Sequence, residues 1–171
     1  MPTKPRLCDA DRMTTRFRDP QTWLSTYTAG TIDVVCPRCG ARAAVTTRPV
    51  EGARELCWPR HFVCTSCLTT STWSARTHSF CAGGPVDPFF RLPLWRTAQC
   101  CGKHTLWAFN EAHLTLLHGY VAAKLRERGD TTNRMTLIAR LPAWLKSAKH
   151  RDEVLRVLAR LHDPEPSTGR R

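Results

Sequence analysis

The sequence predicts an α+β fold, in which a cysteine-bearing β module is followed by a helical segment. Three observations point to it. Residues 31–110 carry short β-branched runs punctuated by Gly and Pro, and they hold eight of the nine cysteines. Within that stretch two C-x2-C pairs stand 24 residues apart. From residue 111 onward apolar side chains recur three and four apart, the period of an amphipathic helix. The chain has 171 residues, enough for one compact domain or two small modules, and six Trp with six Phe supply a core to at least part of it.

Residues 1–20 contain three prolines and mixed charges without apolar periodicity, so a flexible arm is expected there. Over residues 21–30, Trp23, Leu24 and Tyr27 fall at helical spacing, and Ala29 and Gly30 end that short helix. Strands are expected at IDVV (32–35), AAVTT (43–47), HFVC (61–64) and TSTWSART (70–77). Residues 81–93 read as a loop. LWRTAQC and HTLWAFN flank Cys101, Gly102 and Lys103, the pattern of a hairpin with Gly in its turn, which completes the β module over residues 31–110.

Helices fill residues 111–163. Asn110 can cap the first, whose positions Leu114, Leu117, Val121 and Leu125 form a stripe ending at Gly129. Asn133 can cap a second through Met135, Ile138 and Ala139, stopped by Pro142. A third short piece carries Trp144 and Leu145. The last starts near Asp152, buries Val154, Leu155, Leu158 and Leu161, and stops before Pro164, leaving residues 164–171 as a tail.

The spacing C-x2-C-x24-C-x2-C, made by Cys36, Cys39, Cys64 and Cys67, carries the chemistry. Two residues between thiolates let one tight turn bring both sulfurs to one ion, and two such turns supply the four soft ligands of a closed tetrahedral site. Pro37 presets the first turn and Gly40 can take the positive φ that follows its second ligand. Leu68 occupies the matching position of the second turn, which predicts a different closing conformation there. One structural Zn2+ is the expected cofactor. Iron uses the same ligands, but nothing else in the chain suggests electron transfer. Four thiolates on a dication leave a charge of about −2, which Arg38, Arg42 and Arg60 are placed to offset.

The segments CPRCG and FVCTSC, with strands around both, resemble the zinc ribbon of the transcription factor IIB type over about residues 32–77. The whole chain, from TYTAGTIDVVCPRCG through DPFFRLPLW and LWAFNEAHL to LIARLPAWLKSAKHRDEVL, is similar to short bacterial zinc-ribbon proteins. That resemblance implies a four-cysteine zinc ribbon with an additional β-hairpin, packed against a C-terminal helical segment. It brings no activity with it.

Formal net charge is +12, divided as +2 over residues 1–30, +5 over 31–110 and +5 over 111–171. A distributed excess of this size favours polyanions, without implying sequence specificity, and solvated Arg faces account for it as well. Trp58, Phe62 and Trp73, interleaved with Arg54, Arg60 and Arg76, fit a face that stacks on bases while Arg meets phosphate. A small sheet needs aromatic caps, however, so at least two of the three aromatics are expected to cover it and the three arginines to make the contacts. Lys146, Lys149, His150 and Arg151 cluster at a helix junction, where a phosphate grip and a solvated helix end explain them equally. The expected nucleic-acid contacts are therefore Arg38, Arg42, Arg54, Arg60, Arg76, Lys146, Lys149 and Arg151.

Two functional classes follow. One is a nucleic-acid-binding or transcription-associated adaptor acting on DNA or RNA. The other is a scaffold subunit whose ribbon docks on a partner protein such as the transcription machinery. Neither involves a small-molecule substrate or a membrane. Catalysis is not expected: Asp33, Glu51, Glu55 and Asp87 show no catalytic spacing, and four cysteines close the metal site. The start lacks the apolar run of a secretion signal, so a cytoplasmic location is expected, where thiols stay reduced. Cys100 and Cys101, with His104, Cys81 and His78, could form a second metal site. Adjacent residues on a strand point to opposite faces, however, which favours one buried thiol instead. Cys8 and Cys57 are expected to be free.

Overall fold

The computed structural model describes residues 16–81, 83–127 and 136–162. The fold is α+β, with small sheets and a closing C-terminal helix. Four strands, β2 (Ile32–Val35), β3 (Arg42–Thr47), β4 (Arg60–Val63) and β5 (Thr70–Trp73), form an antiparallel meander in that order. Alternation sorts its faces. Ile32, Val34, Ala43, Val45, Phe62 and Trp73 are buried, and the register Ile32 to Val45 to Phe62 stacks them in rows. Phe89, Leu94 and Phe109 cover that face, with Phe89 edge-on to Trp73 at 4.9 Å.

The loop before the hairpin is held from within. Asp87 is fully buried, and its carboxylate accepts the backbone N–H groups of Phe89, Phe90 and Leu92 at 2.7–2.9 Å. Burial raises its pKa, against the pull of those three donors. This turn presents Phe89 and Phe90 to the sheet.

The hairpin β6 (Arg96–Cys100) and β7 (His104–Ala108) turns at Cys101, Gly102 and Lys103, as expected. It packs against α2 (Glu111–Ala122) and α5 (Arg151–His162), whose Leu114, Leu117, Val121, Val154, Val157, Leu158 and Leu161 make a second core with Leu106 and Ala108. Asn110 caps α2 by accepting the His113 N–H at 3.0 Å. Leu155 is only partly buried, and Val157 takes its place on the stripe.

Arg96 ties the two cores together. Its buried guanidinium donates to Asp33 Oδ2 of β2 at 2.9 Å, to the Leu161 and His162 carbonyls closing α5, and to Glu111 Oε2 in the first turn of α2 at 3.0 Å. The cation thus sits at one helix C-terminus and the carboxylate at another helix N-terminus, the favourable sign for both dipoles.

Four further expectations about the fold need correction. Residues 16–18, expected within a flexible arm, form β1 (Arg16–Arg18), paired parallel with β8 (Leu125–Glu127). Phe17 meets Tyr120 at 5.5 Å, and buried Asp19 accepts the Thr136 hydroxyl at 2.6 Å, so packing overrides the polar composition. The first long helix ends at Ala122 rather than Gly129, because the Arg126 side chain donates to the terminal carbonyls of Tyr120 and Val121 and the chain turns into β8. Leu125, expected on the buried stripe, is 52% exposed. The strand expected over 70–77 stops at Trp73, where the Ser74 carbonyl accepts from Thr77 and His78 in a turn.

Asn133 lies outside the described residues. The helix it was expected to open is α3 (Leu137–Arg140), capped by the Thr136 hydroxyl accepting the Ala139 N–H at 3.2 Å and closed before Pro142. The short pieces α1 (Leu24–Thr28) and α4 (Ala143–Lys146) stand where spacing placed them. Among the described residues no helix is long and apolar enough to cross a membrane.

Candidate metal centre

Both C-x2-C pairs occupy the same structural position, the turn of a hairpin. Cys36 follows β2 and Cys39 precedes β3; Cys64 follows β4 and Cys67 precedes β5. Because β3 starts beside the end of β4, the two turns emerge at one end of the sheet. Their sulfurs converge: Cys36 Sγ lies 3.6 Å from Cys67 Sγ, and Cys39 Sγ lies 3.6 Å from Cys64 Sγ. All four are within 4.8 Å of one another. A tetrahedral ion with metal–sulfur bonds of about 2.3 Å needs sulfur–sulfur edges of about 3.8 Å, so the group fits a metal ion with shifts of a few tenths of an ångström.

The turns close in the same way. In the first, the Cys36 N–H donates to the Ala41 carbonyl at 2.9 Å, and Gly40 has φ +73°. In the second, the Cys64 N–H donates to the Thr69 carbonyl at 2.9 Å, and Leu68 has φ +59°. The expectation of a different closing conformation is therefore wrong. The shared turn geometry puts a left-handed residue at this position, and Leu68 accepts it at the cost of local strain, with 82% of the residue exposed.

Electrostatics divide the four thiols. The Thr69 hydroxyl and backbone N–H lower Cys67 to about 6, and the Cys67 N–H, followed by that of Ser66, lowers Cys64 against its burial. At Cys39 the Ala41 N–H acts downward, but desolvation and three neighbouring sulfurs outweigh it and push the thiol up to about 12. Four adjacent sulfurs cannot all carry charge without a cation among them. Cys36 and Cys64 are enclosed while Cys39 is exposed, so the site sits at the rim of the fold.

The basic residues divide as sharply. Arg60, expected at a phosphate contact, is 0% exposed. Its guanidinium donates to the Thr28 carbonyl at 2.6 Å, the Glu55 carbonyl at 2.7 Å and the Thr47 hydroxyl, with its carbon 4.1 Å from the Phe89 ring centroid. Burial lowers its pKa to about 10. It is a structural brace, and its assignment to a nucleic-acid surface is corrected. Arg42 pairs with Asp33 Oδ1 at 2.9 Å while staying half exposed. Arg38 reaches the Thr69 hydroxyl at 3.4 Å, and that hydroxyl lies 3.2 Å from Cys67 Sγ.

Arg54, Arg76 and Lys149 are exposed. Lys146 donates to the Ala139 carbonyl at 2.7 Å and Arg151 to the Ala123 carbonyl at 2.9 Å, so both brace the helical half. Phe62 and Trp73 belong to the core, and Trp58 Nε1 donates to the Val50 and Ala53 carbonyls.

Sequence reasoning missed the Asp33 and Arg96 ion pair, 63 residues apart, for which no local signal exists. It also separated Cys100 from Cys101, whose sulfurs lie 3.1 Å apart. Comparison with family models, with curated proteins and with solved structures finds no match to this chain.

Proposed function

We propose that Cys36, Cys39, Cys64 and Cys67 hold one structural zinc ion, and that the clipped ribbon serves as a non-catalytic nucleic-acid-binding or transcription-associated adaptor in the cytoplasm. The convergence of four sulfurs at one sheet end supports the first part, because an all-thiolate shell suits zinc and leaves no open position for chemistry. Metal analysis tests it: about one zinc per chain, lost when Cys36 and Cys64 are each changed to Ser. Stoichiometric iron, or no metal, would overturn it.

A single observation carries the adaptor reading. Arg38, Arg54 and Arg76 are exposed on the ribbon of a chain with net charge +12. Such a surface should bind mixed DNA or RNA with an affinity that falls steeply between about 50 and 200 mM salt. Fluorescence anisotropy with single- and double-stranded probes measures this, and each Arg→Ala change should lower the salt slope by about one.

A second reading, docking on a partner protein, is favoured by Leu68 at the tip of a metal turn and by β5, an edge strand with three exposed residues. No nucleic-acid binding even at low salt, with association lost in Leu68→Ser, would select it.

A further inference from the structure

The turn of the β6 and β7 hairpin gathers a second set of soft ligands, separate from the four-cysteine group. Cys100 ends β6, but Cys101 leaves the strand with φ +54°, so the two side chains do not point to opposite faces. Their sulfurs lie 3.1 Å apart. Glu153, in the first turn of α5, accepts the Cys101 N–H, and its carboxylate and both sulfurs fall within 4.8 Å of one another. Cys100 is 3% exposed and Cys101 half-buried, so one sulfur is anchored in the core and the other is reachable.

The short separation selects the guest. At a bond length of about 2.3 Å, a 3.1 Å bite subtends an angle of about 85° at the bound atom, well below the tetrahedral angle that the zinc ion proposed for the four-cysteine group would keep. A trivalent centre carrying a lone pair is pyramidal and keeps angles near a right angle. A disulfide would need the sulfurs to close by about 1 Å within a small ring. We propose that Cys100 and Cys101 form a chelating site for a trivalent, pyramidal thiophile of the organoarsenic(III) class, with Glu153 holding the turn in place.

The reaction with phenylarsine oxide balances without a redox change. Two As–S bonds form, the As–O bonds break, and the two thiol protons leave with the oxygen as one water. Cys101 attacks first because it is reachable. Burial, followed by the neighbouring Cys101 and Glu153, pushes the Cys100 thiol up to about 12, so it brings its proton to the second step. That proton departs with the arsenic-bound hydroxyl.

The test uses the full chain with its metal bound, in a phosphine reductant, titrated with phenylarsine oxide and read by native mass spectrometry and metal analysis. One phenylarsenic adduct per chain should form with the original metal retained. Cys101→Ser, which leaves the core thiol in place, should weaken capture by on the order of 100-fold, since chelation by a second sulfur is lost. Cys57→Ser and Cys81→Ser should change nothing, because neither exposed thiol belongs to a ligand cluster among the described residues. No adduct, an adduct undiminished in Cys101→Ser, or an adduct that forms only as the bound metal leaves would each overturn the proposal.

Discussion

Replacing Arg60 by methionine keeps the aliphatic stem within the sheet and removes the guanidinium. The Thr28 and Glu55 carbonyls and the Thr47 hydroxyl then lose a charged donor inside the fold. Each such bond contributes about 1.5–3 kcal/mol, so the three together approach roughly 5–9 kcal/mol. Against this stands the cost of burying the cation, several kcal/mol in comparable settings and visible here in the lowered pKa and in an Nε without a partner among the described residues. A net loss of about 2–4 kcal/mol remains. With a urea slope of about 2 kcal/mol/M, the midpoint of the metal-loaded protein should fall by about 1–2 M at unchanged slope. Nucleic-acid affinity below that transition should match wild type, whereas Arg54→Ala and Arg76→Ala should weaken it at unchanged stability. An unchanged midpoint together with lost affinity would show that Arg60 faces a ligand, and the bracing argument would fail.

Leu68→Gly should stabilise the metal-loaded protein by about 1 kcal/mol, because glycine takes φ +59° without strain; thermal melts measure it, and destabilisation would contradict the turn geometry. Chelating the metal, or Cys64→Ser, should abolish amide-exchange protection across residues 32–73, since the ribbon has little apolar area beyond one sheet face. Burial holds His113 down at about 4, below its unfolded value of about 6.5, so the neutral ring's contribution is intact above pH 6.5 and is lost as pH falls toward 4. Between pH 7.5 and 5.5 this should remove about 1.3 kcal/mol of stability. His113→Gln should lack that part of the slope, and identical slopes in parallel urea titrations would refute the assignment.

The convergence of the four cysteines was legible because its information is local. A turn of two residues between cysteines, with a strand pattern on each side, specifies where two sulfurs point, and Val45 and Phe62 in register bring the two turns to one end. The α2 stripe and its Asn110 cap were legible for the same reason. What escaped depends on partners remote in the chain. Arg60 looks like a surface cation until Thr28, Thr47, Glu55 and Phe89 close around it. Residues 16–18 look like a loose arm until Leu125–Glu127 offers a strand edge, and nothing near either segment announces the other. Leu68 and Cys101 escaped differently. Each takes a left-handed backbone that its residue type disfavours, imposed by the turn around it.

The Arg96 guanidinium touches the ribbon, the start of one long helix and the end of the other. Should the sheet melt, Asp33 would withdraw, and a cation enclosed between two helix ends would lose its principal counter-charge. The helical half would then inherit part of the damage done at the distant sulfurs. Unfolding is accordingly expected to be concerted, with a single calorimetric peak whose temperature follows the occupancy of the metal.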